Sequence, residues 1–220
     1  MSFTAAIFDM DGLLLDSERT IMQAWIDSAR ALQIALHADD YVQVVGHAEA
    51  EANARLAALL GGHEAFGQVQ QAAQARLAPE AGLVFPLKPG ALALLQALQQ
   101  RGVPCALASS TRVAEVRRRL AAAGIAPFFR AVAGGDEVLR GKPDPAVYRL
   151  AAQRAGIDPL RALAFEDSDH GCVAARAAGL QVVVVPDLKT PDAALSLMHL
   201  ASLELALPHL DDWFQSTSSR

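Results

Sequence analysis

A chain of 220 residues is long enough for one ordinary domain or for a domain that carries a sizeable insertion. Apolar residues make up 52% and charged residues 20%, which provides for a core and excludes a disordered polymer. A formal charge of −5 with no basic run excludes nucleic acid as the main partner, and no segment approaches the ~20 apolar residues of a membrane span.

The only cysteines, Cys105 and Cys172, have neither CxxC nor metal-ligand spacing and read as buried free thiols. The N-terminus has no basic region followed by a long apolar stretch, so the expected location is cytoplasmic, with no membrane partner. A monomer is expected. Lysine occurs only at 88, 142 and 189, so each position is informative.

The first element is a short apolar run, Ala5 to Phe8, that stops at Asp9-Met10-Asp11-Gly12. It reads as a buried strand delivering acids to its C-terminal end, where open α/β sheets keep their sites. Asp9 and Asp11 are two apart and in strand geometry would point the same way, while Gly12 lets the backbone turn or approach a ligand. Two carboxylates held together need a cation or a shared proton, and all-oxygen ligation suits Mg²⁺. A carboxylate beside such an ion can also act as a nucleophile and form an aspartyl-phosphate. The plainer alternative is an Asp-rich turn with Gly12 at positive φ.

From Ser17 the pattern becomes helical, with Ile21, Met22, Trp25, Ile26, Ala29 and Leu32 on one face. Asp39 or Asp40 could cap a second helix, Ala48 to Leu60 reads as a third, and Glu64 to Leu77 as a fourth. No strand is evident from 17 to about 83, so residues 17–85 read as an inserted helical cap and residues 1–16 with 86–220 as the core. Pro89 is placed to start a helix running to Arg101, and Val103 to Ala108 reads as the second strand, ending in Ser109-Ser110-Thr111. A helix over 113–123, a strand over 129–133, a helix over 145–155, a strand over 161–165, a helix over 171–178 and a strand over 181–185 follow. Four of these helices are closed by glycines at 102, 124, 156 and 179. The tail from Ser216 to Ser219 reads as frayed.

Strands alternating with helices, most of them short and continuously apolar, predict an α/β fold: a Rossmann-like parallel sheet core covered on both faces, with an inserted α-helical cap domain. Right-handed crossovers then place the C-terminal ends of all strands on one edge, which collects Asp9, Asp11, Ser109, Glu166 and Asp167. Ser109, with Ser110 and the turn behind it, is placed to hold a phosphate at a helix entry. Lys142 lies in Gly141-Lys142-Pro143-Asp144-Pro145, a loop stiffened by two prolines. Two carboxylate pairs, a hydroxyl and an ammonium are what phosphoryl transfer through an aspartate requires.

These stretches, together with Glu166-Asp167-Ser168-Asp169-His170-Gly171, resemble the haloacid dehalogenase superfamily of phosphohydrolases over nearly the whole chain. The branch is the β-phosphoglucomutase-like and phosphoglycolate phosphatase-like one, with a helical cap after the first motif. The resemblance implies Asp9 as nucleophile, Asp11 as general acid and then base, Ser109 as a ligand of the transferring phosphoryl group and Lys142 as its charge neutraliser. It implies Mg²⁺ held by Asp9, Asp167, Glu166 directly or through water, and the main-chain carbonyl of Asp11. Gly12, Ser110, Glu18, Arg19 and His47 complete the expected phosphate- and substrate-binding set.

Within the family, an acid two residues after the nucleophile argues against carbon–halogen hydrolysis. The absence of lysine from residues 17 to 87 closes phosphonate cleavage through a cap Schiff base. Ile21 stands where the related mutases carry a histidine, and Ala48-Glu49 stand where an arginine is expected. The expected function is therefore a Mg²⁺-dependent phosphatase acting on a small phosphorylated metabolite, a sugar phosphate or a phosphoglycolate-like compound. A sugar phosphomutase is the alternative, followed by a catalytically inactive binding domain. Arg117, Arg118 and Arg119 are expected on a solvated helix face, Trp25 in the bundle core and His170 on the surface.

Overall fold

The computed structural model describes residues 2–45, 49–78 and 83–214. Among them the chain divides into two compact units, Met1–Asp16 with Pro86–Arg220, and Ser17–Phe85.

The first unit is built on a six-stranded sheet. Its strands are β1 (Ala5–Phe8), β2 (Cys105–Ala108), β3 (Phe129–Ala133), β4 (Ala162–Glu166), β5 (Gln181–Val184) and β6 (Met198–His199), in the order β3-β2-β1-β4-β5-β6 with all pairs parallel. Every residue of β1, β2 and β4 is buried, as expected where helices cover both faces of a parallel sheet and leave no solvent face to be polar. β3 is an edge strand, and accordingly Arg130 is exposed on it.

Order 3-2-1-4 means that the chain runs outward from β1 in one direction and then returns to continue in the other. The crevice at such a reversal, beyond the strand C-termini, is where this architecture binds ligands. Register sharpens the placement. Phe8 is paired with Phe165, so the residues that follow, Asp9 and Glu166, come side by side. The two phenyl rings stack with centroids 4.8 Å apart and fix the strands behind the acids.

Helices α5 (Ala91–Gln100), α6 (Val113–Ala122), α7 (Ala146–Ala155) and α8 (Asp169–Ala177) alternate with the strands. α7 turns Val147, Tyr148, Ala151 and Ala152 inward, the three- and four-residue spacing of one helix face, against a core that includes Ile7, Ala106, Ala164 and Val182. Gly156 ends α7 in the left-handed region, where a Cβ would be strained.

The second unit is a helical bundle of α1 (Ser17–Ala31), α2 (Ala38–Val44), α3 (Glu49–Leu59) and α4 (His63–Leu77), with no strand among its described residues. Its core contains Trp25, Ala29, Leu36, Tyr41, Val44, Leu56, Leu60, Val69 and Ala73, and Trp25 packs with Phe66 at 5.7 Å and Tyr41 at 6.2 Å. Trp25 is thus the bundle-core aromatic that its periodicity predicts.

One expectation needs correction, and the starts of two helices and a sixth strand are added by the structure. α2 begins at Ala38 behind His37 with no side-chain cap, so neither Asp39 nor Asp40 caps it; both sit in its first turn, where acidic side chains favour the helix dipole. α6 starts after Arg112 and its first N–H, that of Val113, donates to Asp136 across 23 residues. α8 is capped by Ser168, whose Oγ accepts from the Gly171 N–H. β6 was not anticipated: two residues are too short for a periodic signal. His47, Ala48 and Ser216 to Ser219 lie outside the described residues.

Candidate active site

β1 ends at Phe8, and Asp9 follows with its N–H donated to the carbonyl of Phe165, which locks it to the neighbouring strand. Its side chain is 9% exposed. Lys142 Nζ lies 2.6 Å from Asp9 Oδ1 and 2.5 Å from Glu166 Oε1, so one ammonium bridges the ends of β1 and β4. Asp167 completes the group: one carboxylate oxygen from each of Asp9, Glu166 and Asp167 lies within 4.8 Å of the others.

Three carboxylates against one ammonium leave a deficit of positive charge in a buried place. Burial pushes the Asp9 carboxyl up to about 8, with Glu166 and Asp11 adding to the rise and Lys142 opposing it. Burial likewise holds Asp167 well above the usual carboxylate range, reinforced by Glu166 and Asp9. Burial also acts against the Glu166 charge, but Lys142 and the hydrogen-bond donors around Glu166 outweigh it and keep this group low. Burial disfavours the Lys142 charge too, and Asp9 with Glu166 more than compensates, so it stays ammonium.

The donor set fits a small hard cation. Asp9 and Asp167 offer oxygens beside Gly12, whose φ of 81° and missing side chain keep open the space that a Cβ would fill against Asp167 Oδ2. Glu166 fits less directly. Its Oε1 accepts from Lys142 and Tyr148, and its Oε2 from the N–H of Asp167 and from the N–H and hydroxyl of Ser168, which uses the capacity of a carboxylate.

Asp11 stands apart from that trio. Its Oδ1 accepts from Arg119 at 2.6 Å and its Oδ2 from the Thr111 hydroxyl at 2.8 Å. Arg119 is therefore not on a solvated face: its side chain is 15% exposed and also holds Glu115 at 2.7 Å. The error has a physical source. A triplet of arginines reads as surface by composition, and only the position of α6 against the loop after β1 turns one of them inward.

Ser109 follows β2, is buried, donates its N–H to Ala133 and accepts at Oγ from the Thr111 N–H. Ser110 is exposed in the same turn. Glu18 and Arg19 lie on α1 of the helical unit, where Arg19 borders a hollow with Gln23, Asp27 and Arg76. His170 is exposed on α8, as expected of a surface residue.

Sequence reading missed Thr111, Arg119 and Tyr148, and the partly buried pair of Lys88 and Asp187 at 2.5 Å, whose carboxylate lies near Asp167 across Gly12. A hydroxyl on the buried stripe of α7 was the one available signal for Tyr148. Nothing local marked the others.

Fold and site together define an α/β protein of Rossmann-like topology with an acidic centre at its strand C-termini. The model of the haloacid dehalogenase-like hydrolases matches residues 3–179, and the chain belongs to that family. It is 32% identical over 181 residues to the phosphorylated carbohydrates phosphatase of Thermotoga maritima, covering 80% of this chain and 82% of that one. Among solved structures, a HAD family hydrolase from Deinococcus radiodurans with bound phosphate and sodium is 28% identical at a TM-score of 0.77, covering 98% of this chain and 99% of that one. The β-phosphoglucomutase of Clostridium difficile has a TM-score of 0.73 over 96% of each chain and, at 18% identity, shares the fold alone.

Proposed function

We propose that this protein is a phosphoric monoester hydrolase that cleaves a small phosphorylated metabolite, a sugar phosphate or a phosphoglycolate-like compound, through an aspartyl-phosphate on Asp9. The observation that carries the reading is Lys142 bridging Asp9 and Glu166 with Asp167 beside them, a nucleophile with its counter-charge already in place. The similarity to a phosphatase of phosphorylated carbohydrates supports the substrate class.

In this reading an Asp9 oxygen attacks phosphorus and the bond from phosphorus to the leaving oxygen breaks, with Asp11 giving its proton to that oxygen. Water then attacks the phosphorus of the acyl phosphate while Asp11 takes the proton back, and inorganic phosphate leaves with Asp9 restored. Ser109 and the turn through Ser110 hold the transferring oxygens, and Lys142 offsets their charge. Mg²⁺ would be held by Asp9, Asp167 and the main chain at Asp11, with Glu166 in support, and would supply charge neutralisation at the phosphoryl group.

Phosphate release from a panel of phosphorylated sugars and carboxylic acids tests this, run with Mg²⁺, with EDTA and with Asp9→Asn. Metal-dependent release that Asp9→Asn abolishes is the expected result. Silence from a folded protein, followed by conversion of β-glucose 1-phosphate when a bisphosphate primer is added, would replace hydrolysis with phosphomutase activity.

A further inference from the structure

Glu166 is held at both oxygens, and the two are held differently. Oε2 is fixed by the loop itself, through the N–H of Asp167 at 3.0 Å and the N–H and hydroxyl of Ser168 at 3.2 and 3.1 Å. Oε1 faces away from the loop and accepts from Lys142 and from the Tyr148 hydroxyl at 2.7 Å. One anchored oxygen leaves a carboxylate free to swing about it, whereas two anchored oxygens fix its plane. Of the two donors on Oε1, Lys142 is the group whose place must be set, so the donor that sets it is Tyr148.

Tyr148 is fully buried on the face of α7 that packs against the sheet. A phenylalanine there would fill the same volume with no polar atom to satisfy, whereas a buried hydroxyl without a partner costs about 1–3 kcal/mol. The partner that the hydroxyl has is the oxygen that also holds the ammonium. The ring contributes separately, since its centroid lies 4.9 Å from Lys142 Nζ, within range of a cation over an aromatic face. Gly171 leaves room for this arrangement, since a Cβ there would overlap the Glu166 carboxylate.

We propose that Tyr148 is a positioning residue whose hydroxyl, through Glu166 Oε1, and whose ring, by direct contact, together set where the Lys142 ammonium stands relative to Asp9. The geometric part is independent of the reaction. The consequence for turnover rests on the phosphatase reading above, because only there does the ammonium offset charge on a phosphoryl group in transfer. Tyr148 itself touches no reacting atom.

The scarcity of lysine makes the placement directly observable. With ¹³C-labelled lysine the protein should give three lysine Cε signals, assigned by Lys88→Arg and Lys189→Arg, and Lys142 is expected to be the one shifted upfield by the ring beneath it. The experiment compares the wild type with Tyr148→Phe and Tyr148→Leu by this signal, by kcat and KM for phosphate release, and by melting temperature. Tyr148→Phe is expected to move the Lys142 signal while leaving those of Lys88 and Lys189 in place. It is expected to lower kcat by roughly 3- to 30-fold, with KM changed by less than about twofold. Tyr148→Leu is expected to remove the upfield shift as well and to lower kcat further.

A Tyr148→Phe protein with wild-type kcat and an unmoved Lys142 signal would overturn the proposal. So would a lowered melting temperature with both unchanged, since the hydroxyl would then serve stability alone. If the wild type releases phosphate from nothing in the panel, the phosphatase reading fails by itself, and the NMR comparison still decides Tyr148. If Tyr148→Leu does not fold, Tyr148→Phe, which keeps the ring, carries the test.

Discussion

Arg119, on the second turn of α6, donates to Asp11 Oδ1 at 2.6 Å across 108 residues, and Glu115 one turn earlier holds the same guanidinium at 2.7 Å. The acid two residues after the candidate nucleophile is thereby aimed by a helix that begins more than a hundred positions away. A hydrogen bond to a charged group contributes about 1.5–3 kcal/mol. If about half of that is felt at the transition state, Arg119→Gln lowers kcat by roughly tenfold. KM should stay within about twofold, because Arg119 acts on Asp11 and not on the ground-state phosphate. Steady-state phosphate release measures both, and a change confined to KM would contradict the assignment.

Glu115 carries a pH signature. The hydrogen bond from Arg118, joined by that from Arg119 against a smaller penalty of burial, pushes its carboxyl down to about 2 from an ordinary 4.5. The folded value lies below the unfolded one, so its stabilising contribution is complete above pH 4.5 and is lost as pH falls toward 2. Urea unfolding of the wild type and Glu115→Gln should show the wild type more stable at pH 6, with the difference shrinking toward pH 2.5. A gap that persists unchanged at low pH would mean that the pairing does not favour the charged carboxylate.

Lys142 is 6% exposed between Asp9 and Glu166, so removing it leaves buried carboxylates uncompensated. Breaking a buried pair from one side costs about 3–5 kcal/mol, and Lys142→Met should destabilise by that amount in EDTA. Adding Glu166→Gln to Lys142→Met should recover part of the loss, as the uncompensated charge is removed. A double-mutant cycle by denaturant unfolding checks the sign.

Two glycines should respond oppositely to alanine. At Gly171 a Cβ meets the Glu166 carboxylate, so Gly171→Ala displaces the partner of Lys142 and should lower kcat by at least about tenfold. At Gly67, within α4, a Cβ meets nothing within 4 Å and the backbone is helical, so Gly67→Ala should stabilise by about 0.5–1 kcal/mol. Melting temperature and kcat, measured on both variants, separate the two effects.

Much of this was legible from local pattern. Continuous apolar runs of three or four residues marked β1, β2, β4 and β5, because a parallel sheet buried on both faces needs no alternation, whereas the edge strand β3 is interrupted by the exposed Arg130. The acids Asp9, Glu166 and Asp167, and Ser109, fell at strand ends, so chain order and right-handed crossover were enough to gather them on one edge. Lys142 stood out because lysine is rare and its loop is stiff.

The chain alone placed Asp9, Asp11, Ser109, Glu166 and Asp167 on one edge of the sheet, since that much follows from periodicity and topology, but it marked neither Thr111, Arg119 and Tyr148 nor the pair of Lys88 and Asp187. Tertiary structure decided which of them pair. Asp9 with Lys142, Asp11 with Arg119, Glu166 with Tyr148 and Lys88 with Asp187 are separated by 133, 108, 18 and 99 residues. Partners that distant leave no periodic trace, because the helix and strand repeats record only which face of an element is buried. The charge that each face meets is fixed only when the elements pack, and with it which carboxylate is neutralised and which remains to take a cation.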